Sequence, residues 1–108
     1  MAWHIDYYKK AENDLADLDR FVSARVIKAI NKVSENPLPQ SEGGYGKPLG
    51  NKQSSKLAGC MKIKLKSLGI RVVYQLVRID MIMKIVIVSV RADDEVYKEA
   101  ERRINDRK

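Results

Sequence analysis

The sequence predicts a small α+β domain: a twisted, mainly antiparallel sheet packed with helices, in the order β-α-α-β-β-β-α. Three observations carry that expectation. Apolar residues recur at three- and four-residue steps between Lys9 and Glu35, alternate or run together between Lys56 and Arg91, and return to helical spacing after Asp93. With 108 residues, 44% of them apolar, the chain suits one domain over residues 1–108, burying roughly two-thirds of its unfolded surface. No run approaches the ~20 apolar residues that span a bilayer. The longest candidate, Met81–Val90, has strand length and contains Lys84. The opening Met-Ala-Trp-His-Ile-Asp lacks the basic start and apolar stretch of a secretory signal, so a soluble cytoplasmic domain is expected. A single cysteine, Cys60, excludes an internal disulfide, and a single histidine, His4, argues against a His/Cys metal site. No cofactor is expected.

Trp3–Tyr8 alternates weakly and carries aromatics, which predicts a first strand. Leu15, Leu18, Val22, Val26, Ala29, Ile30 and Val33 then form an amphipathic helical stripe. Asp17 and Asp19 interrupt it as candidate caps, so two helices, or one sharply bent one, are expected with the break near Asp19-Arg20. Pro37 ends the helix by forcing Asn36 out of helical geometry. Pro37–Ser55 holds three prolines and four glycines and reads as a long loop, either a surface excursion or a functional element. Lys56–Ser67, Ile70–Arg78 and Met81–Arg91 follow as a meander, turning at Leu68-Gly69 and Ile79-Asp80. The last of these strands is apolar on both parities, which predicts a central strand covered on both faces. Asp93 or Asp94 caps a final helix with Val96, Ala100 and Ile104 as its apolar stripe.

The net charge of +7 is unevenly placed. Met1–Gly50 contains seven bases and seven acids, whereas Asn51–Lys108 contains 14 bases and seven acids. That polarity suits a polyanionic partner, nucleic acid in the first instance, though it also fits a merely soluble basic surface. Within the second half, Lys62, Lys64 and Lys66 alternate with Ile63 and Leu65. In a strand the three ammonium groups share one face while Ile63 and Leu65 enter the core. Such a row also occurs on solvated edges, where it discourages aggregation. An even hairpin loop sets Lys66 opposite Arg71 and Lys64 opposite Val73, adding Arg71 to the lysine face. An odd loop buries an unpaired guanidinium, so the even register is expected. Arg91, at the end of the neighbouring strand, can reach the same face. Clustered cations disfavour one another's charging and suit a phosphate transition state that gathers negative charge. With no second histidine and no obvious carboxylate–histidine pair, phosphodiester chemistry here would use lysine as base and arginine or solvent as acid. Cys60 reads as a small buried thiol and His4 as structural. Tyr97 can stack on a base or pack the last helix onto the sheet.

The run Lys62-Ile63-Lys64-Leu65-Lys66-Ser67-Leu68-Gly69-Ile70-Arg71-Val72-Val73-Tyr74-Gln75, followed by an Ile/Val-rich strand, Arg91 and Glu95-Val96-Tyr97, resembles the RelE-type toxins of the RelE/ParE superfamily. These are toxins of type II toxin–antitoxin systems with a RelE-like, microbial ribonuclease-type fold. The resemblance implies a metal-independent, ribosome-dependent endoribonuclease that cleaves messenger RNA in the A site of the 70S ribosome. The 2′-hydroxyl attacks the adjacent phosphate, and translation is inhibited. By motif position it assigns Lys64 as general base, Arg91 as general acid, Lys62 and Arg71 as phosphate stabilisers and Tyr97 as a nucleotide-positioning ring; Lys66, the last of the lysine row, is read as substrate-binding. It further implies a cognate acidic RelB-like antitoxin as partner, and no membrane. Ala58, where some members carry a basic residue, Asp93 beside Arg91, and the length of Pro37–Ser55 depart from the pattern. The alternatives are a ParE-like gyrase-inhibiting toxin and a non-catalytic basic protein that binds nucleic acid.

Overall fold

The computed structural model describes residues 2–49, 57, 59–90 and 92–106. Strand β1 (His4–Tyr7), helices α1 (Lys9–Ala16) and α2 (Arg20–Val33), strands β2 (Lys47–Pro48), β3 (Cys60–Leu65), β4 (Ile70–Val77) and β5 (Ile82–Ser89), and helix α3 (Asp93–Asp106) follow in that order. The strands form one mixed sheet, β1-β5-β4-β3-β2, antiparallel except where β1 runs parallel to β5. The expected α+β class and element order hold, with one strand added. Among the described residues no helix is long and apolar enough to cross a membrane.

The helical region breaks where the two aspartates fall. Asp17 closes α1, and the Asp19 carboxylate accepts the Phe21 amide at 3.1 Å, satisfying one of the free N–H groups at the start of α2. Helix α2 ends at Val33, a turn before Pro37, with the Ser34 amide still bonded to the Ile30 carbonyl. Val26, Ile30 and Val33 are its buried residues.

The described part of the expected long loop is a folded unit rather than a loose excursion. Backbone bonds join Gln40 to Gly46, Gly44 to Pro39, Tyr45 to Asn36 and Gly46 to Leu38, around a 3-10 turn at Gln40–Glu42. The buried Tyr74 hydroxyl donates to the Pro37 carbonyl at 2.8 Å, and Arg78 clamps Glu42 with two bonds of 2.9 Å. The close approach requires glycine at 46: a Cβ there would lie 2.5 Å from the Tyr74 hydroxyl and 2.8 Å from the Pro37 oxygen. Lys47–Pro48 then pairs with Lys62 and Met61 as β2, which the breaker-rich composition concealed. Residues 50–55 of the same segment, and 56 and 58 of the strand expected after it, lie outside the described residues.

Core residues line both faces of the sheet. Ile63, Ile70, Val72 and Tyr74 alternate onto one face, and Val73 and Ile87 onto the other; all are buried. Helix α2 packs against β3, and α3 against β5 and β4. Strand β5 is interior, as its composition predicts, but β4 occupies the middle of the sheet. The β4–β5 register shifts between Val73, opposite Ile87, and Tyr74, opposite Ile85. Val86 is therefore the extra residue of a bulge, which breaks the alternation in the run that the sequence left without parity.

Candidate active site

The lysine row and Arg71 meet as the parity of the hairpin requires, but two residues out of the expected step. Arg71 pairs with Lys64, and Val73 with Lys62; Lys66 faces neither. The reason is local. Lys66–Leu68 winds into a 3-10 turn that closes at Gly69 in the left-handed region (φ 66°), with the Gly69 amide bonded to the Lys66 carbonyl at 3.2 Å. Glycine adopts that conformation without a Cβ penalty. The loop is thus Lys66–Gly69, an even count that preserves parity while removing Lys66 from the strand row. Exposed Lys66 lines a shallow groove with Lys64, Leu65, Gly69, Ile70 and Arg71.

The other strand neighbour of Arg71 is Ser89 of β5. A row Lys64–Arg71–Ser89 therefore crosses three strands on one face, and Lys62–Val73–Ile87 lies beside it. Directly paired positions hold their Cβ atoms about 4.5–5.5 Å apart. Lys64, Arg71 and Ser89 are half-buried. Sequence reasoning passed over Ser89. Its position two residues before Arg91, on the strand that must neighbour Arg71, was the available signal.

Helix α3 covers the inner part of this face, so the site is not the open sheet surface that the strand pattern alone suggests. Val73, Ile87 and Cys60 are buried on it. Tyr97, in the second turn of α3, is only 6% exposed. The Lys62 ammonium donates to the Tyr97 hydroxyl at 3.2 Å and lies 5.9 Å from the ring centroid. Tyr97 thus packs the last helix and holds Lys62 at once, with little ring face presented to solvent. Arg91 lies outside the described residues. The structure accordingly gathers Lys62, Lys64, Arg71 and Tyr97 at one margin of α3, with Lys66 at the rim.

Cys60 and His4 stand apart from this chemistry. Burial pushes the Cys60 thiol up to about 11, which suits a packing group and not a nucleophile. His4 sits on the edge strand β1, opposite Ile82.

A second polar cluster went unread in the sequence. Arg103 of α3 is 8% exposed. Its Nη1 donates to Asp14 Oδ2 at 2.7 Å and to the Val86 carbonyl at 2.9 Å, its Nη2 to Asp14 Oδ1 at 3.2 Å and its Nε to Glu99 Oε2 at 3.0 Å. Asp14 Oδ2 also accepts the Val88 amide at 3.0 Å. Strand β1 pairs with β5 only as far as Ile85, so two helices together satisfy the strand edge that β1 leaves uncovered. Burial opposes ionisation of Glu99, but the hydrogen bond and charge of Arg103, with Arg102 and Lys10, outweigh it and hold the carboxyl below its ordinary range.

Residues 5–97 match a family model described as the ParE toxin of a type II toxin–antitoxin system, parDE. The mRNA interferase toxin RelE of Escherichia coli is 31% identical over 104 residues, which span 96% of this chain and 99% of that protein. A doubly substituted E. coli RelE in the free state has the same fold, with TM-score 0.73 and 28% identity over 96% of this chain and 99% of its own. The same mutant bound to an antitoxin RelBc peptide gives TM-score 0.66 at 27% identity, covering 93% of this chain and 95% of its own. The intact E. coli RelBE toxin–antitoxin complex gives 0.64 at 25% identity, covering 84% and 99%.

Proposed function

This chain belongs to the RelE/ParE superfamily of type II toxin–antitoxin toxins, and we propose that it is a ribosome-dependent endoribonuclease that cuts messenger RNA in the A site. The observation that carries this reading is the pairing of Lys64 with Arg71 beside a Lys62 held by Tyr97. One margin of the sheet thereby offers a candidate base and two cations to a single phosphate. Lys64 removes the proton of the 2′-hydroxyl, whose oxygen attacks the adjacent phosphorus. The bond to the 5′-oxygen breaks, Arg91 protonates that leaving oxygen, and a cyclic phosphate remains. Lys62 and Arg71 neutralise charge on the non-bridging oxygens, Arg71 with the two-pronged geometry that lysine lacks. Tyr97 acts first by fixing Lys62, and Lys66 meets the RNA backbone at the rim.

A lysine in water is almost wholly protonated at neutral pH and makes a poor base. The ribosome supplies what the protein alone does not: a fixed message in near-attack geometry and exclusion of water from the lysine face. A RelB-like acidic antitoxin is the expected inhibitor, as RelE of E. coli forms a complex with RelB. The family model's ParE description supports a second reading, a toxin that acts on gyrase. Against it stand Lys62, Lys64, Arg71, Arg91 and Tyr97 together.

Single-turnover cleavage of message on purified ribosomes separates the two. Cleavage on ribosomes, little on naked RNA, and a loss of orders of magnitude in Lys64→Ala and Arg91→Ala are expected. Equal cleavage of naked and ribosome-bound RNA would refute the borrowed environment. Full activity of Lys64→Ala would refute the base assignment, and supercoiling inhibition without cleavage would favour the gyrase reading.

A further inference from the structure

Helix α2 carries Arg20, Arg25, Lys28 and Lys32 and contains no acid. The balanced charge of Met1–Gly50 conceals this, because its seven acids all fall outside the helix. Successive steps of four, three and four residues place Phe21, Arg25, Lys28 and Lys32 in one stripe, about 60° wide at 3.6 residues per turn. That stripe points away from the buried Val26, Ile30 and Val33 and so faces outward. The chain leaving α2 at Pro37 is bonded by Tyr74, on the sheet face opposite Lys62, whereas the Lys62–Tyr97 contact lies on the α3 side. All four stripe residues are exposed, Phe21 at 73%. At the far end the Lys32 ammonium lies 5.7 Å from the ring centroid of Tyr45, itself 48% exposed. Among the described residues no carboxylate pairs with Arg25, Lys28 or Lys32.

From this we infer that the outer face of α2 is a second RNA-binding surface, which grips folded ribosomal RNA through its phosphates on the side of the domain opposite the lysine face. The inference rests on the proposed ribosomal function for the identity of the RNA, and goes beyond it in the surface assigned. Along the helix axis the three cations are separated by about 4.5 and 6 Å, close enough for neighbouring cations to meet nearby phosphates of one strand. An aromatic ring at each end suits stacking on an unpaired base. An acidic partner helix would need an apolar groove between the cations, and Phe21 is the one apolar side chain in the stripe. Two basic faces on opposite sides give distinct duties: the lysine face meets the scissile phosphate, and the α2 face adds affinity without touching the reaction.

The test is Arg25→Gln/Lys28→Gln/Lys32→Gln, three exposed positions whose replacement spares the core, with thermal unfolding as the fold control. On ribosomes carrying message, the half-saturating concentration should rise tenfold or more at physiological salt. The cleavage rate at saturation should stay within twofold of wild type. The slope of log affinity against log salt should fall by about 2 to 3, the loss expected for three phosphate contacts. Lys64→Ala should show the reverse pattern, with affinity kept and rate lost. An unchanged half-saturation and slope would overturn the inference. So would a triple variant that binds ribosomes normally but is no longer neutralised by its antitoxin, which would assign the stripe to a protein partner. If the wild type neither binds nor cuts on ribosomes, the ribosomal reading fails instead. Filter binding of wild type and triple variant to purified 16S ribosomal RNA then decides the surface by itself, equal affinities refuting it.

Discussion

Replacing Asp14 by alanine removes more from this fold than any surface ion pair would. Arg103 and Asp14 have side chains 9% and 20% exposed, so the pair is screened little by solvent. Breaking a buried pair by deleting one partner costs about 3–5 kcal/mol, because the surviving charge stays desolvated. Here Glu99 and the Val86 carbonyl remain on the guanidinium, which lowers the loss to about 2–3 kcal/mol. The Val88 amide loses its acceptor as well, at about 1 kcal/mol or more for a group near the edge of the sheet. Asp14→Ala should therefore destabilise by about 3–4 kcal/mol, lowering the melting temperature by more than ~10 °C in a domain of this size. Asp14→Asn keeps an oxygen for the Val88 amide and should cost about 1 kcal/mol less than alanine. Urea and thermal unfolding, followed by circular dichroism, measure both. Amide exchange at Val88 supplies the local readout, faster in alanine than in asparagine. An Asp14→Ala protein within about 0.5 kcal/mol of wild type, the range of an ordinary surface substitution, would refute the description of this cluster as the clasp of α3.

Acid should loosen the same clasp. The Glu99 carboxyl is held below its ordinary 4.5, so its contribution is complete above that pH and is lost as pH falls through the lower folded value. Glu99→Gln should flatten the acid limb of the stability curve. Cys60, 3% exposed with its thiol pushed up to about 11, should resist alkylation at pH 8 in the native protein and react at once in denaturant; rapid native labelling would contradict its burial. Gly46→Ala should cost about 1–3 kcal/mol by overpacking against the Tyr74 hydroxyl and the Pro37 carbonyl. Combining it with Tyr74→Phe, which removes one of the two clashing atoms, should cost less than the sum of the single changes; strict additivity would show that the clash lies elsewhere.

What could be read from the sequence follows from the period of each element. Strand alternation has a period of two, so placing Lys62, Lys64 and Arg71 on one face needed only an even hairpin loop, and burial of Arg71 decided the parity. The step along the strand was not readable, because Lys66-Ser67-Leu68 is compatible with either continuing the strand or winding into a 3-10 turn. Packing of half-buried Leu68 against the core accompanies the turn in the structure. Val86 illustrates a different limit. In Met83–Val88 nearly every side chain is apolar, so a bulge leaves no mark on the pattern, and the register beyond it is fixed by partners distant in sequence. Those partners are Asp14 and Arg103, polar residues inside amphipathic helices, where a charged side chain ordinarily faces solvent. The cover over the lysine face was hidden for the same reason: alternation says which side chains share a face, not which helix lies on it. Once α3 is in place, the Lys62–Tyr97 contact and the Asp14–Arg103 clasp are on one helix, six residues apart. The geometry of the candidate site is thus fixed by a cluster that belongs to the core, and loss of the clasp should loosen Tyr97 from Lys62 before the sheet itself gives way.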